Sequence, residues 1–253
     1  MAESNDPARA RKEPPGWKAG VAAARANLLP GLFIQAAMLG VLFAYYYLGS
    51  ARAFFNTVSG WKQHYGYGFT AVVTAFAAAI FPEIFRVTIF QRGSLGRRNL
   101  LNLLFSIPLW SVMGVCVDAF YRGQTAWFGG GVTALVLLKK VAVDQFIYTP
   151  LFGTPAIVLA FEWKKRRFSF REIGGLFAPS FLKSAVFPAV IAGWGVWIPA
   201  VSIIYSLPLP LQIPLFALAE CFWSLLLTYM VSERAALYEP PPGELPEPEV
   251  AAV

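Results

Sequence analysis

The stretch that decides the fold is residues 184–231, SAVFPAVIAGWGVWIPAVSIIYSLPLPLQIPLFALAECFWSLLLTYMV, in which Glu220 is the one charged side chain. A helix needs about 20 residues to cross the hydrocarbon core of a bilayer. The stretch is therefore too long for one crossing, and Pro208 and Pro210 cannot continue a helix through its middle. It predicts two membrane-spanning helices joined by a tight turn at residues 206–210.

The rest of the chain repeats this pattern. Runs free of Asp, Glu, Lys and Arg lie at residues 26–51, 63–82, 99–117 and 145–161. The shorter, Gly-rich run 123–138 predicts a loop, followed by a helix that starts near Thr133 and becomes the fourth span, roughly residues 141–161. The alternation of a β-barrel is absent, and backbone groups in lipid must bond internally. The predicted fold is therefore all-α, a polytopic transmembrane helical bundle of about six spans.

Composition excludes several classes of protein. Hydrophobic residues make up 57% of the chain and charged residues 14%, whereas soluble domains are about a quarter charged. One His and two Cys can build neither a His-rich metal site nor a disulfide framework. No phosphate-binding loop, zinc-protease motif or serine-hydrolase motif occurs. We therefore predict no catalytic, metal-binding or cofactor-binding residues, and no cofactor.

The basic residues predict an orientation. With the N-terminus inside, the inner segments hold 16 of the 21 Lys and Arg residues and the outer segments hold 5. This asymmetry follows the positive-inside rule and places both termini inside. The net charge of +7 thus reports topology rather than nucleic-acid binding. The densest inner cluster, a candidate contact for anionic lipid headgroups, is Lys164, Lys165, Arg166 and Arg167.

The spans divide the chain into three parts. Residues 1–28 are predicted to be a cytoplasmic tail, and residues 29–232 the membrane bundle. Residues 233–253 are rich in Pro and Glu and are predicted to be disordered. The bilayer itself is the expected partner, and the sequence is compatible with an oligomer.

A few polar residues interrupt the apolar bulk, where they are costly and often mark function. The candidate pore-lining or polar-core residues are Lys140, Asp144, Gln145, Gln212 and Glu220. One interpretation places them along a polar path inside the bundle. The other makes them structural, with an interfacial Lys140–Asp144 ion pair and a Glu220 carboxyl bonded to a neighbouring helix. Glu83 and Arg86 are predicted to pair at the membrane boundary.

Residues 115–232 resemble the Mpv-seventeen / peroxisomal-membrane-protein-twenty-two family of integral membrane proteins. The resemblance lies in LKKVAVDQFIYTPLF (138–152), in the paired tryptophans that follow it, and in a proline-to-tryptophan spacing. Gln212 stands where the family has an arginine. The family-motif residues are Pro150, Trp194, Trp197, Pro199, Pro208 and Trp223. The resemblance implies a mitochondrial inner or peroxisomal membrane, or the inner membrane of a bacterium, and a weakly selective channel for small solutes.

Three functions follow as hypotheses. The first is a channel or transport-like pore, with the polar residues lining or gating a hydrated path. The second is a non-transporting scaffold or assembly factor that binds partner proteins or anionic lipid. The third, an intramembrane enzyme acting on lipid, would need carboxylates that converge on one cavity, for which Asp118, Asp144 and Glu220 are the candidates. Nothing in their spacing demands this chemistry, so we predict that the protein is not an enzyme.

Overall fold

The computed structural model describes residues 16–171 and 173–237, with the side chains of residues 16, 19 and 226–237 left out. This part of the chain is 88% helical and contains no strand. Its helices are α1 (Gly16–Ala26), α2 (Leu28–Tyr47), α3 (Gly49–Tyr65), α4 (Tyr67–Phe90), α5 (Arg97–Phe128), α6 (Ala134–Lys165), α7 (Ile173–Leu176), α8 (Pro179–Tyr205) and α9 (Leu209–Leu237). The all-α prediction is confirmed.

Five of these helices, α2, α4, α5, α6 and α8, are long and apolar enough to cross a membrane. In α9 the apolar part that the structure describes in full is Leu209–Leu225. The predicted turn is confirmed, because α8 ends at Tyr205 and α9 begins at Leu209. The count of six spans and the inward orientation of both termini stay predictions.

The outer faces of the bundle are apolar, and several polar side chains lie inside it. Large apolar side chains are exposed on the outer faces, for example Leu104 at 74% and Leu151 at 76%. Charged and amide side chains are buried, for example Lys140 at 2% and Gln124 at 0%. An apolar exterior over spanning length is the surface that lipid requires. The fold is therefore consistent with an integral membrane protein.

Helix α9 is the centre of the bundle. It packs against α2, α3, α4, α5 and α8, and α6 packs on α8 and α5 at one side. The hydrophobic core gathers around the turn that leads into α9, where Ile204, Leu207 and Ile213 are buried. Residues of α2 and α5 that are distant in sequence, such as Met38 and Tyr121, join the same core, and polar residues of α5, α6, α8 and α9 lie beside it.

Two helices lie where the sequence predicted a tail and a loop. Residues 16–26 of the predicted tail form α1, which packs along α8. The approach is close, because a Cβ on Gly20 would lie 2.9 Å from the Ile191 Cβ atom. The segment after the first span, taken as an outer loop, forms α3. Its mixed composition, with Arg52 and Lys62 among apolar residues, contains no apolar run of spanning length. Residues 1–15 and 238–253 of the predicted tails lie outside the described residues.

Spans α4, α6 and α8 each contain π-helical segments, the longest of which is Asp144–Gly153 in α6. Pro150 lies within this segment and has no N–H to donate. The backbone carbonyl of Gln145 accepts a hydrogen bond from Trp194 Nε1 of α8 at 3.0 Å. Widened turns of this kind free backbone groups and are frequent at functional sites.

Candidate functional site

A cavity of about 490 Å³ lies between α4, α5, α6, α8 and α9. On α5 it runs from Asn102 to Tyr121, which is about 28 Å at the helical rise of 1.5 Å per residue. On α6 it runs from Asp144 to Lys164 and does not extend into residues 134–143. The cavity therefore occupies one side of the bundle and ends inside it, near Asp144.

We call the end of this cavity near Asp144 the acidic end, and define it by Asp144, Gln145 and Glu220. Asp144 lies ten residues into α6, about 15 Å from the start of the helix. Its carboxylate accepts hydrogen bonds from Tyr205 Oη at 2.5 Å, Gln145 Nε2 at 3.0 Å and Thr149 Oγ1 at 3.3 Å. All three donors are uncharged.

Glu220 brings a second carboxyl to the cavity from α9. It is 5% exposed and bonds to Ser224, one turn further along the same helix. Tyr121 of α5 lies within electrostatic range of both Asp144 and Glu220. No ion pair to either carboxyl occurs among the described side chains. Two carboxyls from two helices thus face one cavity without a cationic partner in this part of the chain.

Two buried polar atoms at the acidic end have no hydrogen-bond partner among the described residues, Gln145 Oε1 and Tyr148 Oη. Both residues line the cavity. The amide nitrogen of Gln145 faces Asp144, so the oxygen on the other side of the amide points elsewhere. Buried polar atoms are normally paired with protein or with water, so an unpartnered acceptor on a cavity-lining residue is a candidate contact for a bound molecule.

The opposite end of the cavity, which we call the basic end, is defined by Arg86 and Lys164. Arg86 Nη1 lies 3.2 Å from Glu83, which also accepts a bond from Asn99 Nδ2 at 2.6 Å. The predicted Glu83–Arg86 pair is therefore confirmed. Lys164 Nζ donates to Asn102 Oδ1 at 2.9 Å. The two ends of the cavity therefore carry charges of opposite sign.

Polar contacts close the bundle beyond the acidic end. Tyr205 Oη, which donates to Asp144, accepts from Gln124 Nε2 at 2.6 Å. Lys140 Nζ lies 5.8 Å from the centre of the Tyr205 ring and 3.4 Å from Thr125 Oγ1. None of Gln124, Lys140 and Tyr205 lines the cavity. Together they separate the cavity from the far side of the bundle.

The sequence-predicted polar residues fall into two groups. Asp144, Gln145 and Glu220 meet at the cavity, whereas Lys140 and Gln212 do not line it. The described residues show no Lys140–Asp144 ion pair, because Asp144 opens the π-helical segment and its carboxylate turns to α8. Gln212 Nε2 donates to the Leu207 carbonyl at 3.0 Å and so holds the turn between α8 and α9.

The family-motif residues are distributed over the same region. Trp197 and Trp223 line the cavity, and Trp194 bonds to the π-helical segment that contains Pro150. Pro199 lies inside α8, and Pro208 lies in the turn before α9. Cys116 and Cys221 are free thiols.

One charged cluster was missed by sequence reasoning. Lys62 of α3 forms a buried ion pair with Asp118 of α5, and Thr70 Oγ1 donates to the same carboxylate oxygen at 2.8 Å. Arg122 Nε holds the other oxygen at 3.1 Å. Burial lowers the pKa of Lys62, which lies outside the five spans, and its hydrogen bond to Asp118 opposes that shift. A search for polar residues inside apolar runs does not select Lys62, because it lies between the runs 26–51 and 63–82.

The fold and the site define a class: a helical protein with five helices able to span a membrane, enclosing a one-sided cavity with an acidic end and a basic end. Comparisons of the chain with known protein families, curated proteins and solved structures find no match. The described residues contain no group of three or more His, Cys, Asp or Glu residues that could hold a metal ion.

Proposed function

We propose that this protein is a transport-like passage through which small solutes cross a membrane. The observation that carries the proposal is the cavity of about 490 Å³, which lies between helices of spanning length and reaches two buried carboxyls. Cavities of 300–1,000 Å³ are typical of sites for small molecules. Ionisable groups at this depth are otherwise costly to a membrane protein.

The closed side of the cavity favours a gated passage over a permanently open pore. A solute entering from the basic end meets the contacts among Asp144, Tyr205 and Gln124. Passage therefore requires these contacts to open, as in alternating access around a site in the middle of the membrane. The resemblance of residues 115–232 to the Mpv-seventeen / peroxisomal-membrane-protein-twenty-two family supports the same function, and we propose membership on that ground.

The test is solute flux into vesicles that contain the purified protein. The wild-type protein should raise flux above that of empty vesicles, and Asp144→Ala and Glu220→Gln should change it about tenfold, or about 1.4 kcal/mol. Glu162→Gln is the matched control, because Glu162 pairs with Arg166 and does not line the cavity. Well-folded protein that leaves the vesicles tight would refute the proposal.

A second candidate is a scaffold that binds anionic lipid at the end of α6. Lys165 and Arg167 are exposed there, next to the exposed rings of Phe168 and Phe170. Basic and aromatic side chains side by side suit a headgroup region. Co-sedimentation with vesicles that contain anionic lipid, compared between wild type and Lys165→Gln/Arg167→Gln, tests this candidate. The scaffold function is favoured if the double variant loses the preference for anionic lipid while the wild-type protein shows no solute flux.

A further inference from the structure

We propose that the acidic end of the cavity binds the protonated amine of an amphipathic organic monocation, with its apolar body lying along the aromatic wall. The inference rests on the proposed function, since it names the class of solute that the same cavity takes. Its basis is that one cavity is lined by two carboxyls without a cationic partner among the described side chains, by Gln145 with an unpartnered amide oxygen, and by several aromatic rings.

The charge at the acidic end favours a cation. Asp144 receives hydrogen bonds from Tyr205, Gln145 and Thr149, all of them neutral, and Glu220 bonds to Ser224. The nearest cationic side chain to this network on the described residues of α6, Lys140, lies against the Tyr205 ring and outside the cavity lining. A carboxylate in a low-dielectric site attracts a cation strongly.

The other charged groups that face the cavity lie at its basic end. They are Glu83, Arg86 and Lys164, and Arg86 is held by Glu83. The cavity extends over about 28 Å of α5, and neither Arg86 nor Lys164 forms an ion pair with Asp144 or Glu220 among the described side chains. A cationic solute would neutralise the acidic end, and protonation of the carboxyls is the alternative that the comparison of charged and neutral probes tests.

The unpartnered amide oxygen of Gln145 favours a cation that carries a hydrogen-bond donor. Gln145 is 2% exposed, its amide nitrogen is engaged by Asp144, and its Oε1 atom has no partner among the described residues. An amide oxygen can only accept, so it selects an N–H or O–H group. A protonated amine supplies up to three donors and satisfies Gln145 Oε1 together with a carboxylate, which a quaternary ammonium cannot do.

The aromatic wall of the cavity is suited to the apolar body of such an amine. Trp197, Phe216 and Trp223 line it near Glu220, and the Trp197 and Phe216 rings lie 5.8 Å apart. The faces of aromatic rings attract cations and also bury apolar area. A short alkyl chain or an aromatic group attached to the amine would fill this part of the cavity.

The experiment compares three probes of similar shape by calorimetric titration of the purified full-length protein in detergent, with protein-free micelles subtracted. The probes are phenylbutylammonium, the neutral phenylbutanol and the anionic phenylvalerate. The cation should bind at least about tenfold more tightly than the alcohol, and the anion most weakly. The fully methylated ammonium should bind more weakly than the primary one, since it has no donor for Gln145.

Substitutions locate the site. Glu220→Gln and Gln145→Met should each weaken binding of the cation by about tenfold. Glu162→Gln should leave it unchanged, because Glu162 is paired outside the cavity. The probe comparison on the wild type needs no variant, so a variant that fails to fold does not leave the proposal untested.

Two results would overturn the inference. Equal binding of the cation and the alcohol would mean that the carboxyls carry their own protons, and tightest binding of the anion would move the site to Arg86 and Lys164. Flux and binding separate this inference from the proposed function. Binding of the cation without flux would support the cation site and refute the proposed passage. Flux without cation selectivity would support the passage and refute the cation site.

Discussion

The hydroxyl group of Tyr205 donates to Asp144 Oδ2 at 2.5 Å, and this bond joins α8 to α6 across 61 positions of the chain. The same hydroxyl accepts from Gln124 of α5. One oxygen atom thus ties three spanning helices together at the inner end of the cavity. Because hydrogen bonds to charged groups are stronger than neutral ones, this contact stabilises the bundle beside the cavity.

Tyr205→Phe should lower the free energy of unfolding by about 1–3 kcal/mol, because it removes the acceptor of the buried Gln124 amide nitrogen and one of the three donors to the Asp144 carboxylate. If the contact closes a passage, the variant should also raise solute flux into vesicles. Thermal unfolding in detergent and the vesicle assay measure the two effects. Tyr46→Phe, which removes an exposed bond to the Ser206 carbonyl, is the control. Equal stability of Tyr205→Phe and Tyr46→Phe would contradict a stabilising role for the buried Tyr205 hydroxyl.

Lys62→Met should destabilise the protein by about 3 kcal/mol, because it leaves Asp118 buried with only a partly exposed Arg122 as its ion partner. The double variant Lys62→Met/Asp118→Leu should recover much of that loss, since no buried charge is then left unpaired. Lys139→Met, at an exposed lysine, is the matched control. A melting temperature of Lys62→Met equal to that of Lys139→Met would contradict a stabilising role for the Lys62–Asp118 ion pair.

Gly114→Ala should destabilise the contact between α4 and α5 by about 1–3 kcal/mol. A Cβ at this position would lie 2.1 Å from Thr74 Oγ1, and Thr74 is itself bonded to the Trp110 carbonyl at 3.0 Å, so it cannot move freely. Gly123→Ala on the same helix, whose nearest neighbour is 4.0 Å away, should be neutral or stabilising. Denaturation curves of the two variants that coincide would argue against this packing.

The predicted orientation can be tested with single cysteines in a background that lacks Cys116 and Cys221. Lys139→Cys and Arg167→Cys lie near opposite ends of α6, so an impermeant thiol reagent should label them from opposite sides of the membrane. The positive-inside rule predicts Arg167→Cys on the inner side. Labelling of both positions from one side would show that α6 does not cross, and the reverse pattern would invert the topology.

The sequence predicted which polar residues are candidates for the site, but not how they are arranged in space. Asp144, Gln145 and Glu220 could be selected because polar groups within apolar runs are few and costly. Gln212 was selected by the same rule, yet it holds a turn, and Lys140 stands behind Tyr205 instead of pairing with Asp144. A helical wheel cannot separate these cases, because the π-helical segment that begins at Asp144 changes the register of α6.

By itself, the sequence determined the class of protein, the break between α8 and α9, and the short list of polar groups at depth. These follow from local quantities: the length of an apolar run, the missing N–H of proline, and the cost of charge in hydrocarbon. Only the tertiary structure decided which polar groups meet, as in the pairing of Lys62 with Asp118 over 56 positions and of Asp144 with Tyr205. Partners on different helices leave no periodic trace in the chain, since helix packing and register, not spacing along the sequence, bring them within bonding distance.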